Sequence, residues 1–551
     1  MTLRGLALVG VATLLAPGRA AADGEQCVTA PARTPVVRPA ESRAPAARAP
    51  TPNRCLAGLG DACLRPKPLC AHDLELAKIA WKYYEVNYQP KTGLVNSVDG
   101  YPSTTLWDSG SALGATIAAH QLGLITAKDF DDRITSLLAT LNTLPLYRNE
   151  VPNKAYHTVT AKMVDYANKE SPDGIGYSAI DLSRMVTFLD LLGCLYPRHK
   201  TAAQRVLHRW SFCRIIAGGQ MFGAAFDRAA VQESLNQEGR LGYEQYAALG
   251  WKRLGFDVHE SATYRNASTQ TIKIDNVAIA YDVRDPRKFG AYNYVVTESY
   301  ALEGLEYGRS AESAPLLRAI YEVQKRRYTR TGIVTAVSED NVDRDPWFVY
   351  NTIFAAGTPW NTITDTGRDM SALKTTSVKA AFALAVLFPD DDYSKVLFDK
   401  IATAYDPAKG WYSGIYENGS GLNKAITANT NGIVLEALLY KVYGPVARIC
   451  DSCGHDPELR LLDNESPSVA RDQCFPHVGC DACRQGQVAS RLKPLPQRSP
   501  PPAPSAVKTP TLPAAPQAKP PAPQAKPPAP QVKPPAPFPT KSAQAPVAGP
   551  P

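Results

Sequence analysis

Between Asp73 and Tyr443 apolar residues recur at helical spacing in segment after segment, and this period constrains the fold more than any other feature of the chain. The segments are Asp73–Tyr88, Ser109–Leu122, Lys128–Asn142, Tyr156–Lys169, Ile180–Tyr196, Ala202–Phe212, Leu241–Leu254, Glu298–Gly308, Ser313–Tyr328, Leu373–Leu387, Tyr393–Ala404 and Asn431–Tyr443. Asp108 is placed to cap the helix from Ser109, and Ser178 with Asp181 resembles a capping box. Thr271–Val283 reads instead as a strand, and short β-like pieces surround Gly332–Val337 and Trp411–Tyr416. A helix with one apolar stripe must bury it against another element. About twelve such helices, joined by long polar and aromatic loops, predict an all-α-dominated fold, an (α/α)6 toroid with short β pieces in its loops. A solenoid of helical hairpins is the alternative, but no fixed-length repeat runs through this region.

The ends of the chain read differently. Residues 1–22, with Arg4, the apolar run Gly5–Leu15 and Ala20-Ala21-Ala22, have the form of a secretory signal. Residues 23–54 form an Ala/Pro/Arg linker, 55–72 a Cys-containing flank, 73–443 the toroid domain and 444–490 a Cys-rich module. Residues 491–551 are a Pro/Lys-rich tail with the repeat AKPPAPQ–AKPPAPQ–VKPPAPF from Ala518, a composition that cannot bury a core and predicts a disordered spacer. The tail holds eight Lys or Arg and no acid, which equals the net charge of +8. The folded part is therefore near neutral and carries no nucleic-acid footprint. The tail is left to contact anionic cell-envelope polymers or to act as a plain spacer. A periplasmic or secreted location is expected.

Of the eleven cysteines, Cys450/Cys453 and Cys480/Cys483 have the C-x-x-C spacing of a zinc ribbon. In an oxidising compartment such residues more often form disulfides, so zinc at Cys450, Cys453, Cys480 and Cys483 ranks second and no cofactor is expected. A disulfide collar joining the N- and C-terminal flanks would require those ends to be close.

The segment Thr335–Thr352, TAVSEDNVDRDPWFVYNT, carries the acids Glu339, Asp340, Asp343 and Asp345 beside Trp347 and Tyr350. Carboxylates move protons, aromatic faces stack on pyranose rings and amides bond hydroxyls, which is the equipment of a glycan cleft. Adjacent residues of an extended segment face opposite sides, so Glu339 and Asp340 divide between cleft and support. The candidate catalytic acids are Glu298, Glu339, Asp340 and Asp108. The candidate substrate-binding residues are Trp107, Trp347, Tyr350, Asn351, Trp411, Tyr416, Asn429 and Asn431. Each has a structural alternative, a cap for Asp108 and Asn431 and core packing for the aromatics. A calcium loop at Asp340–Asp345 lacks the glycine and terminal Glu of an EF-hand, so no metal is expected. No phosphate loop, dinucleotide fingerprint, G-x-S-x-G elbow or H-E-x-x-H pair occurs.

Several segments together resemble the bacterial domain-of-unknown-function family 3131. They are TTLWDSGSALGATIAAHQLGLIT (104–126), LNTLPLYRNEVPNKAYHT (141–158), IGYSAIDLSRMVTFL (175–189), TESYALEGLEYG (297–308), TAVSEDNVDRDPWFVYNT (335–352) and GWYSGIYENGSGLNKAITANTNGIVLEALLY (410–440). That family is similar to glucoamylase-like toroids. The resemblance implies a toroid and a polysaccharide or oligosaccharide partner, and by comparison with toroid hydrolases an inverting outcome. It assigns no catalytic residue. The expected function is a glycoside hydrolase acting on a bacterial glucan or exopolysaccharide by carboxylate acid/base catalysis. A non-catalytic polysaccharide-binding or cell-envelope scaffold protein, and a toroid polysaccharide lyase, are the alternatives.

Overall fold

The computed structural model describes residues 68–284, 293–452, 461–462 and 473–476. The expected signal, linker, tail and most of both cysteine flanks lie outside the described residues. Twelve helices fall among those described: α1 Ala71–Val86, α2 Leu106–Gln121, α3 Ala127–Leu141, α4 Ala179–Leu195, α5 Pro197–His208, α6 Tyr243–Arg253, α7 Glu298–Glu306, α8 Ser313–Thr331, α9 Val378–Leu387, α10 Asp392–Ile401, α11 Ala428–Tyr443 and α12 Val446–Ser452.

Two kinds of helix alternate. The helices α1, α3, α5, α8 and α10 are amphipathic. In α3 the buried residues Phe130, Ile134, Leu137, Leu138 and Leu141 form one stripe and the rest is polar. The others are buried on most or all sides, whatever their polarity. All ten residues of α9, VKAAFALAVL, are buried, as are Ser109 through Ala119 of α2. A helix without a polar face belongs inside, and α2, α4, α6, α7, α9 and α11 pack in that cyclic order, with α11 returning to α2. Small residues let them approach. A Cβ on Gly250 of α6 would stand 2.4 Å from Ser183 Oγ of α4. The result is a helix-rich α/α toroid with the outer helices around the ring. No helix of the described residues fills the outer position between α6 and α7, where the chain forms turns and a hairpin.

At one end of the ring the connections are short: 122–126, 196, 307–312 and 388–391. At the other, long connections lead into each inner helix and contain all the strands among the described residues. The strand Ser103–Thr105 feeds α2, Gly176–Tyr177 precedes α4, Thr375–Ser377 feeds α9 and Leu422–Ile426 precedes α11. Long loops at one end of a rigid scaffold are where function concentrates. The short-connection end is closed by α12, which packs on α4, α7 and α11 with Val446, Ala447 and Cys450 buried. Disulfides Cys194–Cys450 and Cys213–Cys474 tie this C-terminal segment to the core.

Three expectations change. Tyr156–Lys169 is not a helix: Ala155–His157 pairs with Ser103–Thr105 and with Met163–Val164. Thr158–Thr160 form the turn between Ala155–His157 and Met163–Val164. Thr271–Val283 is not one strand but a hairpin of Thr269–Ile274 and Val277–Asp282, turning at Asp275-Asn276 with φ of 45° and 62°. Two disulfides join the core to the C-terminal flank, and Cys27, Cys55 and Cys63 of the N-terminal flank lie outside the described residues. Cys450 is bonded to Cys194, which removes it from a zinc set, and Cys453, Cys480 and Cys483 lie outside the described residues.

Arg184 stands fully buried on the axis of the ring. Its guanidinium, borne by α4, donates to Ser111 Oγ of α2 at 3.0 Å, Tyr246 OH of α6 at 2.7 Å, the Glu306 carboxylate of α7 and Glu436 Oε1 of α11 at 2.8 Å. Burial pushes the Glu436 carboxyl far up, against the pull of Arg184 and reinforced by Glu306. Arg184→Met is expected to lower stability by about 3–5 kcal/mol, because it strands a buried carboxylate. Glu436→Gln keeps the shape and an oxygen to accept from Arg184, and is expected to cost under about 1 kcal/mol. Urea unfolding of both variants checks the contrast.

Candidate active site

The N-termini of all six inner helices converge at the long-loop end. Their N-caps are Thr105, Ser178, Gly242, Thr297, Ser377 and Thr427. Here a cavity of about 1340 Å³ opens, lined by residues from five of these helix starts and by the loops before them. Helix N-termini carry partial positive charge, so this is a favourable place for carboxylates.

Four half-buried acids face the cavity: Asp108, Asp181, Glu238 and Glu339. Asp108 lies on the first turn of α2. Thr105 is the N-cap there: its Oγ1 accepts from Asp108 N at 3.1 Å and donates to Asp108 Oδ2 at 2.8 Å. Asp108 is thus not the cap but the residue answering it, which leaves its carboxylate on the cavity wall. Burial raises its proton affinity, against hydrogen bonds from Ser97 and Thr105. Asp181 has the same position on α4, where Ser178 Oγ caps Asp181 N at 3.1 Å. Burial and the Glu238 carboxylate push Asp181 up to about 7. Glu238 itself accepts from the N–H groups of Ala179 and Ile180 at the start of α4. Sequence reasoning weighed Asp181 and favoured a capping role, and it missed Glu238 as a cavity residue. The S-x-x-D spacing that signals a helix start was equally a cavity signal, because five of the six inner helices start at the cavity.

Glu339 and Asp340 lie on the strand Glu339–Asn341, paired with Phe348–Asn351 so that Glu339 stands opposite Tyr350. Alternation turns Glu339 and Asn341 to the cavity and Asp340 inward. Tyr243 OH donates to Glu339 Oε1 at 2.7 Å. Burial and the neighbouring Glu298 push Glu339 up to about 7, opposed by Lys379. Asp340 is 1% exposed and receives Ser377 Oγ at 3.1 Å and Thr375 Oγ1 at 3.4 Å. Burial pushes it up to about 8, against Lys379 and Ser377. Glu298 does not line the cavity. It is enclosed behind it, with Lys379 Nζ at 2.5 Å and Asn429 Nδ2 at 2.7 Å.

Trp107, Trp347, Tyr350 and Asn429 line the cavity. Trp107 Nε1 donates to Asn429 Oδ1 at 3.2 Å, and Tyr350 stacks on Tyr294 with centroids 4.0 Å apart. The exposed aromatic side chains of the described residues are Tyr101, Tyr166, Trp347 and Phe348, and all four stand on this cavity. Tyr101, Tyr166 and Phe348 were not singled out in the sequence, since an exposed aromatic and a packed one look alike there.

Four candidate binding residues stand elsewhere. Trp411 is buried and donates to Leu76 O at 3.3 Å. Asn431 bonds Trp411 N at 2.8 Å and Thr427 O at 2.9 Å, locking the start of α11. Asn351 bridges Thr375 and Thr362 in the sheet. Tyr416 OH donates to Asp343 Oδ1 at 2.7 Å. Asp343 is occupied by Tyr416, Arg344 and the N–H of Lys424. Among the described residues no cluster of three His, Cys, Asp or Glu is placed to hold a metal ion.

The fold and cavity define a helix-rich toroid protein with an acidic, aromatic-rimmed cleft at the N-terminal end of its inner ring. Residues 75–444 match the family described as "Protein of unknown function (DUF3131)", and the chain belongs to that family. Its fold is similar to that of a glucoamylase-like protein from Bacteroides caccae ATCC 43185, at 12% identity and TM-score 0.50 over 74% of this chain and 97% of that one. It is also similar to an endo-β-1,2-glucanase from Chitinophaga pinensis in complex with sophorotriose and glucose, at 13% identity and TM-score 0.51 over 72% of this chain and 99% of that one. Comparison with curated proteins finds no match.

The titration of Asp340 has a consequence for stability. The unfolded carboxyl ionises near its ordinary value of about 4, while the folded one stays protonated to about 8. Asp340 therefore stabilises the fold fully below about pH 4, and that contribution is lost as pH rises to about 8, at up to about 1.4 kcal/mol per pH unit. Asp340→Asn removes this slope, so the variant should gain stability relative to wild type across that window. Urea unfolding at a series of pH values reads it.

Proposed function

We propose that this protein is a periplasmic or secreted glycoside hydrolase on an (α/α)6 toroid, cleaving a bacterial glucan with inversion. The observation that carries the reading is the coincidence of four half-buried, cavity-facing carboxyls with every exposed aromatic side chain of the described residues. Aromatic faces hold pyranose rings, and two carboxyls across a glycosidic bond complete the chemistry. The C. pinensis protein of similar fold is an endo-β-1,2-glucanase, which makes a β-glucan the first substrate to test. The two disulfides agree with an oxidising compartment.

In this mechanism Glu339 is the general acid. Its carboxyl, pushed up to about 7, holds a proton near neutral pH and delivers it to the glycosidic oxygen as the bond to the anomeric carbon breaks. Asp108, held by the Thr105 hydroxyl on the α2 wall, takes a proton from the water that attacks that carbon from the other face. Trp347, Phe348, Tyr101 and Tyr166 stack on sugars at the rim, and Asn429 and Asn341 are within the cavity to bond hydroxyls.

Glu339→Gln should lower kcat about 10²- to 10⁴-fold on a soluble β-glucan, with β-1,2-glucan among the panel. Wild-type activity should fall on the alkaline side through about pH 7, because the acid must be protonated to act. Proton NMR of the first product should show the inverted anomer. Binding without turnover would make the protein a polysaccharide-binding module, and unsaturated products would make it a lyase.

Trp347 is 63% exposed and Tyr166 65% exposed, so neither supports the core. Trp347→Ala and Tyr166→Ala should each weaken oligosaccharide binding about tenfold, in line with stacking worth about 1 kcal/mol or slightly more. The unfolding temperature should not move. Calorimetric titration and thermal unfolding separate the two effects.

A further inference from the structure

Glu298 is a strong carboxylate candidate by sequence, yet the structure encloses it. Its side chain is wholly buried, and both oxygens are occupied. Oε2 takes the Lys379 ammonium at 2.5 Å and Ser338 Oγ at 3.5 Å, and Oε1 takes Asn429 Nδ2 at 2.7 Å. Asn429 in turn is held by the Trp107 indole at 3.2 Å. A hydrogen-bonded chain thus runs from α2 through α11 and α7 to α9. At its end Lys379, 4% exposed, also reaches Asp340 at 3.8 Å and lines the cavity. No substrate group can reach Glu298 without breaking this chain.

We propose that Glu298 is a positioning residue whose buried ion pair holds the Lys379 ammonium, and that the balance of these two charges sets the proton affinity of Glu339 at the cavity. This rests on the reading of Glu339 as the general acid. The groups that face Glu339 are Tyr243 from α6, Glu298 from α7, Lys379 from α9, Asp340 on its own strand, and Tyr294 and Tyr350 from the adjoining strands. The tyrosines are neutral in the working range, since burial raises Tyr243, Tyr294 and Tyr350 above their ordinary value. Asp340 stays largely protonated to about pH 8. That leaves the Glu298–Lys379 ion pair beside Glu339. Its two members act in opposite directions, the carboxylate favouring a protonated Glu339 and the ammonium an ionised one. Burial alone would depress the Lys379 ammonium, but Glu298, Asp340 and Glu339 outweigh it and keep the cation charged.

Removing one charge should therefore move Glu339, and removing both should restore it. In Glu298→Gln, which keeps the shape and the bond from Asn429, Lys379 acts on Glu339 unopposed. The Glu339 titration midpoint should fall by about one pH unit or more. In the double variant Glu298→Gln/Lys379→Met it should return close to the wild-type value. The full-length chain labelled with ¹³C at the glutamate carboxyl is titrated by NMR, the Glu339 signal being assigned by its loss in Glu339→Gln. On a substrate the same variants should shift the alkaline limb of kcat. Glu298→Gln should lie within about threefold of wild type on the acid plateau and about tenfold below it one pH unit above the wild-type limb. A fall in kcat by the same factor at every pH would make Glu298 a catalytic group and overturn the proposal. An unmoved Glu339 midpoint in the single variant would overturn it too, as would a double variant that stays shifted. The two readings fail separately. A midpoint that moves as described in a protein that cleaves no glucan ends the hydrolase reading alone, and an active enzyme whose midpoint does not move ends this one alone.

Discussion

One guanidinium joins five of the six inner helices. Arg184 projects from α4 and bonds side chains of α2, α6, α7 and α11, leaving only α9 without a direct link. An arginine in a dry interior is costly unless its donors are used and its charge is met. Here Ser111, Tyr246, Glu306 and Glu436 meet those needs from four directions, which is possible only if the helices close into a ring of the right radius. The interaction therefore selects the register of the ring more than it adds net stability. A single-residue rotation of any of those helices would leave a buried charge or donor unmet. The same cation lies 4.9 Å from the Trp107 ring, and Trp107 lines the cavity, so the axis of the fold supports the floor of the site.

The ring also decides where chemistry can occur. Six parallel inner helices present six N-termini at one end, where unsatisfied N–H groups and the helix dipoles favour negative charge. Acids collect there: Asp108 and Asp181 on the first turns of α2 and α4, Glu238 bonded to the first N–H groups of α4, and Glu298 at the start of α7. The dipoles lower the cost of the anion, while burial and the other acids raise it. For Asp181, Glu339 and Asp340 burial and mutual repulsion win, and all three are displaced upward. Carboxyls that hold protons near neutral pH are a product of crowding acids into a half-dry cavity.

Much of this was legible in the sequence, and the failures have specific causes. The outer helices declare themselves by an apolar stripe, as in α3. The inner ones declare themselves by apolar and small residues on all faces, as in α9. Period alone misread Tyr156–Lys169, where Tyr156, Met163 and Val164 suit a helix but belong to a sheet held by long-range pairing with Ser103–Thr105. At the site, Glu339 and Asp340 separated as strand alternation requires. Asn431 and Trp411 could not be told from ligand-binding residues, because the Asn431 amide is consumed by backbone groups of Trp411 and Thr427 and the Trp411 indole is buried on Leu76 O. Asp181 stayed hidden for the opposite reason, since a capping motif explained it locally. Local explanations are sufficient for a helix start but do not say what the helix start faces.

The two ends of the toroid divide stability from function. At the short-connection end α12 packs across α4, α7 and α11, and Cys194–Cys450 fixes it there with a sequence separation of 256. In the chain-entropy account a loop of that size is worth about 5 kcal/mol of restricted unfolded state, and the overlapping Cys213–Cys474 loop adds less than its separate value. At the other end the backbone takes unfavourable forms. Trp347 sits at φ 70° on the cavity rim with its side chain in solvent, an arrangement that β-propensity and burial both oppose. Exposed aromatics, crowded carboxyls and a left-handed tryptophan each cost folding free energy. A closed, cross-linked and internally ion-paired base is what allows the open end to keep them.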